Sequence, residues 1–151
     1  MSLAILINED IKAAMLARDA RKLEALRAIK ASLLLAKTGK DMSSGEIPED
    51  VELSILQKLV KQRKESAEIY REQNRPELAE TEEFQADIIG QYLPEQLSEE
   101  DLQDIIKKII KDTGASDMKD MGKVMGMATK QLAGKADNKK ISVIVRQLLN
   151  P

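Results

Sequence analysis

The chain has 151 residues, 33% of them charged and only 2% aromatic, with a formal net charge of −2. It contains neither cysteine nor histidine. This excludes disulfides, Cys–His sites and Ser–His–Asp sites, and it removes the commonest general base and a common metal ligand. The length suits one domain or two small ones; with rings only at Tyr70, Phe84 and Tyr92, a helical core of Leu, Ile, Met and Ala is expected.

In chain order, Ser2 to about Ala17 reads as a helix with Leu3, Leu6, Ile7, Ile11, Ala14 and Met15 turned inward. Its apolar start, Leu3 to Ile7, is cut short by Asn8, Glu9 and Asp10. That run is too short for a signal-peptide core or a membrane span, so a soluble cytoplasmic protein is expected. Arg18 and Asp19 mark a possible break, with Asp19 able to cap a second helix to about Thr38 along Leu23, Leu26, Ile29, Leu33 and Ala36. Propensity alone also allows one continuous helix from Ser2 to Thr38. Gly39 to Pro48 is a loop without periodicity.

Glu49 to about Asn74 is the longest helical stretch, with Ile55, Leu56, Leu59, Val60, Ala67 and Tyr70 on its apolar side. Lys58, Lys61, Arg63 and Lys64 form a local basic cluster. Acidic residues follow at helix-neighbour spacing, so an exposed face laced by ion pairs is favoured over an RNA-binding patch. Glu77 to Tyr92 is a fourth helix, separated from the third near Arg75-Pro76. A domain boundary falls near Pro94 to Leu97, giving residues 1–95 and 96–151. The expected fold is all-α, with about four helices followed by a three-helix tail.

The tail begins with Ser98 and Asp101, placed like a capping box, then Leu102, Ile105, Ile106, Ile109 and Ile110 on one face, and Gly114 as a stop. The dense carboxylates Glu99, Glu100, Asp101 and Asp104 complement the helix dipole rather than bind a metal. In the next helix Met118, Met121, Met125, Ala128 and Leu132 mark the buried side. Lys119, Lys123 and Lys130 lie nearly opposite, with Gly122, Gly126, Thr129 and Ala133 on the shoulder. Two glycines inside a helix destabilise it by about 1 kcal/mol each, which points to the close approach of another backbone. Gly134 ends this helix and Asp137 or Asn138 caps the last one, whose face is Ile141, Ile144, Val145 and Leu148. Lys135, Lys139 and Lys140 surround the start of that helix, where backbone N–H groups already attract anions.

From Lys119 onward seven basic residues face two acidic ones. An acidic body with a basic tail suits a tail that meets a polyanion, beside the plainer reading of solvated lysines on small helices. No phosphate-cradling glycine loop is present: Gly122-Lys123 and Gly134-Lys135 lack the spacing and the preceding strand. No catalytic residue, metal or cofactor is nominated. The tail methionines read mainly as adaptable core packing, except that Met127 points away from the main apolar face.

Two stretches, YLPEQLSEEDL (Tyr92 to Leu102) and GKVMGMATKQLAGKADNKKIS (Gly122 to Ser142), resemble the YqeY family in their order and separation. That resemblance spans essentially the whole chain. The last third to half also resembles the tail of GatB, the B subunit of tRNA-dependent amidotransferases, with Gly-Lys-Ala-Asp intact at Gly134 to Asp137. The resemblance implies a helical module that holds tRNA. It implies tRNA-facing positions at Lys123, Lys130, Lys135, Lys139 and Lys140, supported by Gly122, Gly126 and Gly134. It also implies association with amidotransferase or aminoacyl-tRNA synthetase subunits, and a carbon–nitrogen ligase label with glutamine as amido donor. The large catalytic domain of GatB does not fit in the first 95 residues, so that label reads as inherited. The resulting expectation is a cytoplasmic tRNA-binding accessory module without membrane or metal partners. The alternatives are a protein-interaction module and, more weakly, a glutamine-dependent ligase.

Overall fold

The computed structural model describes residues 2–39 and 47–150. Among them every regular element is helical and none is a strand: α1 (Leu3–Leu16), α2 (Ala20–Gly39), α3 (Glu49–Glu72), α4 (Pro76–Gly90), α5 (Glu99–Thr113), a 3-10 turn (Met118–Asp120), α6 (Met121–Gln131) and α7 (Asn138–Leu149). Most of the expected Gly39 to Pro48 loop, residues 40–46, lies outside the described residues. Packing divides the chain into two compact units, Met1–Leu93 and Pro94–Pro151.

Local chemistry explains the ends of several helices. The Ser2 hydroxyl accepts from the Ile5 N–H at 3.4 Å and opens α1. Arg18 then turns left-handed, at φ 56°, while the Asp19 N–H donates to the Ala14 carbonyl and the Arg18 N–H to the Met15 carbonyl. That six-to-one closure ends α1, and Asp19 Oδ1 accepts from the Lys22 N–H at 3.2 Å to begin α2. The two helices are therefore distinct, and the continuous helix is excluded. The same closure recurs after α3 with Asn74 at φ 60° and after α5 with Gly114 at φ 71°. Pro76 occupies the first position of α4, where a missing N–H leaves no hydrogen bond unmade.

In the first unit Ile7, Leu26, Ile29, Leu56 and Ile89 are among the fully buried side chains. The inward face expected for α1 was too wide. Leu6 and Met15 are exposed, and the buried stripe is Leu3, Ile7, Ile11 and Ala14. Leu6 stands about 100° from Ile7 around the helix, outside the narrow strip that meets α2. Two polar contacts hold α1 further: Leu3 N–H donates to Glu52 Oε2 at 3.1 Å, and the Tyr92 hydroxyl donates to Asp10 Oδ2. Burial and that carboxylate push the Tyr92 phenol well above its ordinary range.

The second unit is built around Leu102, Ile106, Val124, Ala128, Ile141 and Val145. Helix α5 divides sharply, with Leu102, Ile106 and Ile109 buried and acidic residues in its first turn. The phase expected for α6 needs correction. Met118 is 39% exposed, whereas Val124 is fully buried. Residues 118–120 are wound as a 3-10 turn, with about three residues per turn instead of 3.6, so the helical register restarts at Met121. Met121 and Met125 pack against the core from its edge.

Candidate nucleic-acid interface

The six nominated lysines sit on or beside α6 and α7. Lys123 and Lys130 are exposed on the outer side of α6, two turns or about 10 Å apart along the axis and within about 20° of one another around it. Lys119 belongs to the preceding 3-10 turn, where Asp117 Oδ1 accepts its backbone N–H at 2.9 Å. Lys135 lies in the α6–α7 turn, and Lys139 and Lys140 fall in the first turn of α7. The chain thus brings Lys130, Lys135, Lys139 and Lys140 around one corner. Lys119 and Lys123 stand at the other end of α6. All six side chains are exposed, and among the described residues no ion pair holds any of them.

The three nominated glycines separate into two kinds. Gly122 and Gly126 are exposed, and a Cβ added at either would meet nothing within 4 Å. No neighbouring helix accounts for them, so their backbone is bare on the lysine-bearing side of α6. Thr129 lies next to this strip, its hydroxyl turned back to the Met125 carbonyl at 2.8 Å. Gly134 differs: it is buried, with φ 76°. Its place is inside the turn and not on an open edge.

What holds that turn was not visible in spacing. Gln96 Nε2 donates to the Gly134 carbonyl at 2.6 Å and to the Pro94 carbonyl at 2.9 Å. Beside it the Leu97 N–H donates to the Lys135 carbonyl at 3.0 Å. Asp137 then caps α7 by accepting the Lys139 N–H at 3.0 Å, leaving Asn138 as the first helical residue. The stretch ahead of α5 and the turn ahead of α7 are therefore bonded to each other. Two sequence segments some 38 positions apart form one structural corner.

That corner joins the two segments on which the family resemblance rests, and the match extends well beyond them. The chain matches the Yqey-like protein family over residues 5–149. It belongs to that family. A relative, altered inheritance of mitochondria protein 41 (mitochondrial) of Pyrenophora tritici-repentis, is 26% identical over 147 residues, covering 95% of this chain and 78% of the relative. No helix among the described residues is long and apolar enough to cross a membrane. No group of three or more acidic side chains among them is placed to hold a metal ion.

Of the basic cluster on α3, Lys58 and Lys64 make no ion pair among the described residues, so the expected lacing of that face by ion pairs is not formed there. Arg63 turns inward, Nε donating to Gln85 Oε1 at 3.0 Å. Lys61 is engaged as well.

Proposed function

We propose that this YqeY-family protein is a tRNA-binding accessory module that grips the sugar-phosphate backbone through α6 and α7. The reading is supported above all by Gly122 and Gly126, bare backbone flanked by lysines that no carboxylate among the described residues holds. Ammonium groups without internal partners are available to phosphates, and the N-terminus of α7 adds its own partial positive charge. Rings are too few for a stacking platform, so folded RNA recognised by shape suits this surface better than unpaired bases. The proposed setting is the cytoplasm, although the fungal relative is named as mitochondrial.

The experiment is a titration of full-length protein with total tRNA at several salt concentrations. Replacing Lys123, Lys135 and Lys139 together by Ala should weaken binding by about tenfold or more. It should also flatten the slope of log affinity against log salt by roughly 2–3, since each lost phosphate contact removes about 0.7–0.9. Unchanged affinity would refute the reading.

A second reading, docking on an amidotransferase or aminoacyl-tRNA synthetase subunit, draws on the exposure of Met127 at 37%. Capture of such a subunit that survives nuclease and high salt, and is lost in Met127→Lys, would favour it. Glutamine-dependent carbon–nitrogen ligation is the weakest reading. Purified protein given tRNA, ATP and glutamine is expected to show no turnover alone.

A further inference from the structure

The unused chemistry of the first unit converges on Gln85. Among the described residues it is the polar side chain buried beyond nine-tenths, at 7% exposure. Buried amides normally have their donors and acceptor taken. Here Oε1 accepts from Arg63 Nε, which fixes the orientation of the amide, because only the oxygen can accept. Its Nε2 has no protein partner among the described residues and is not sealed from the surface. Arg63 is half-buried, and its Nη1 donates to the Leu59 carbonyl at 3.3 Å. No carboxylate among the described residues pairs with it. Both side chains line one open, mainly polar groove of about 640 Å³ formed by α2, α3 and α4.

The residues lining this groove ask for opposite charges. Among the lining residues Gln85 is buried and Arg63 half-buried; the N–H groups they leave unbonded among the described residues call for an acceptor with two oxygens, and a carboxylate fits a guanidinium fork. Around it stand the carboxylates of Glu24, Glu65 and Glu82. They would repel phosphate or any other multiply anionic ligand and attract a cation. Glu82 is three residues before Gln85, on the same side of α4. Ile69 adds an apolar wall, 52% exposed, beside the Ser66 hydroxyl.

The geometry points to a binding site for a free α-amino acid with an aliphatic side chain. Its carboxylate lies on Arg63 and Gln85, its ammonium faces Glu82, and its side chain lies along Ile69. The site is in the first unit and does not depend on the tail binding RNA.

The test is a titration of full-length protein followed by ¹⁵N–¹H spectra, in which the Gln85 side-chain amide reports directly. L-leucine is the first probe, followed by the other common amino acids. The controls are 4-methylpentanoate, which lacks the ammonium, 3-methylbutylamine, which lacks the carboxylate, and inorganic phosphate. Saturable shifts of the Gln85 amide are expected with an aliphatic amino acid, and each control should bind at least about tenfold more weakly. Gln85→Glu keeps the side chain's shape and gives Arg63 an internal partner, so it should fold and lose binding, read from the backbone amides of Ser66, Ile69 and Glu82 because the side-chain reporter is gone. Glu82→Gln should weaken the amino acid while leaving 4-methylpentanoate unchanged. The proposal is overturned if no amino acid shifts the Gln85 amide at millimolar concentration. It is equally overturned if 4-methylpentanoate or phosphate binds as tightly as the best amino acid.

Discussion

The two units use the same helical architecture but spend their cations differently. In the first unit four of the six arginines make side-chain contacts within the unit. Arg71 Nη2 meets Glu83 at 2.7 Å, Arg75 Nε meets Glu77 at 2.7 Å, Arg21 lies 4.1 Å from the centroid of the Phe84 ring, and Arg63 holds Gln85. In the second unit the cations are almost all lysines, and none of the six nominated ones has an ion-pair partner among the described residues. A planar guanidinium keeps a fixed fork that suits internal bonding, whereas an ammonium on a flexible stem stays hydrated and mobile. The positive charge of the first unit is thus partly structural, and that of the second is presented outward.

This contrast can be tested by separating packing from presentation. The largest effect should come from Ile106→Ala, which empties a fully buried position in the second core. A loss of about 2–5 kcal/mol is expected by denaturant unfolding. Slow amide exchange in α3 and α4 should be retained, and its loss would mean that the two cores stand or fall together. Next, Gly122→Ala with Gly126→Ala should raise stability by about 1–2 kcal/mol, because each Cβ enters open space on a helical backbone. The same pair should weaken tRNA binding if bare backbone matters there. Added stability with unchanged binding would leave the lysines as the whole of the interface.

Tyr92→Phe should lower stability by about 1–2 kcal/mol at neutral pH, since it strips Asp10 of a half-buried donor. The pH dependence follows from the raised phenol. Folding favours the protonated form, so that stabilisation is complete below the ordinary tyrosine range near 10 and is lost as pH climbs beyond it. Denaturation midpoints measured across the alkaline range should therefore fall in wild type and fall less in the variant. The smallest effect belongs to Glu77. Its hydrogen bond from Arg75 holds the carboxyl below its usual value, so any stabilisation is present above the carboxylate range and fades as pH falls through the lowered value. Both partners are solvent-exposed, and such pairs add little in the presence of salt. Glu77→Gln should leave the thermal midpoint within error at neutral pH.

Much of the fold was legible in local residue patterns. Ser98, Gly114, Gly134 and Asp137 do what their side chains and backbone freedom require at helix ends. The alternation of Leu102, Ile106 and Ile109 marks a buried stripe without ambiguity. The register of α6 was not legible, because Met118 falls in a 3-10 turn whose tighter winding leaves no mark in apolar spacing. Nor were the partners of Gln96, Arg63 or Tyr92, each of which bonds to a residue at least 22 positions away. Of the candidate interface, the identity of the lysines was readable. That Gly122 and Gly126 face open space while Gly134 is enclosed was not.

The amino-acid order by itself determined most helix ends, the apolar stripes of helices such as α5 and α7, and that the tail carries an excess of positive charge. These follow from interactions spanning three or four residues, and a linear pattern records them directly. Only the tertiary structure decided which polar groups are used up and which remain available. Contacts such as Gln96 with the Gly134 carbonyl, or Arg63 with a buried amide whose nitrogen is still free, depend on how separate helices meet. Burial, pairing and exposure are properties of that meeting, so no single segment carries them alone.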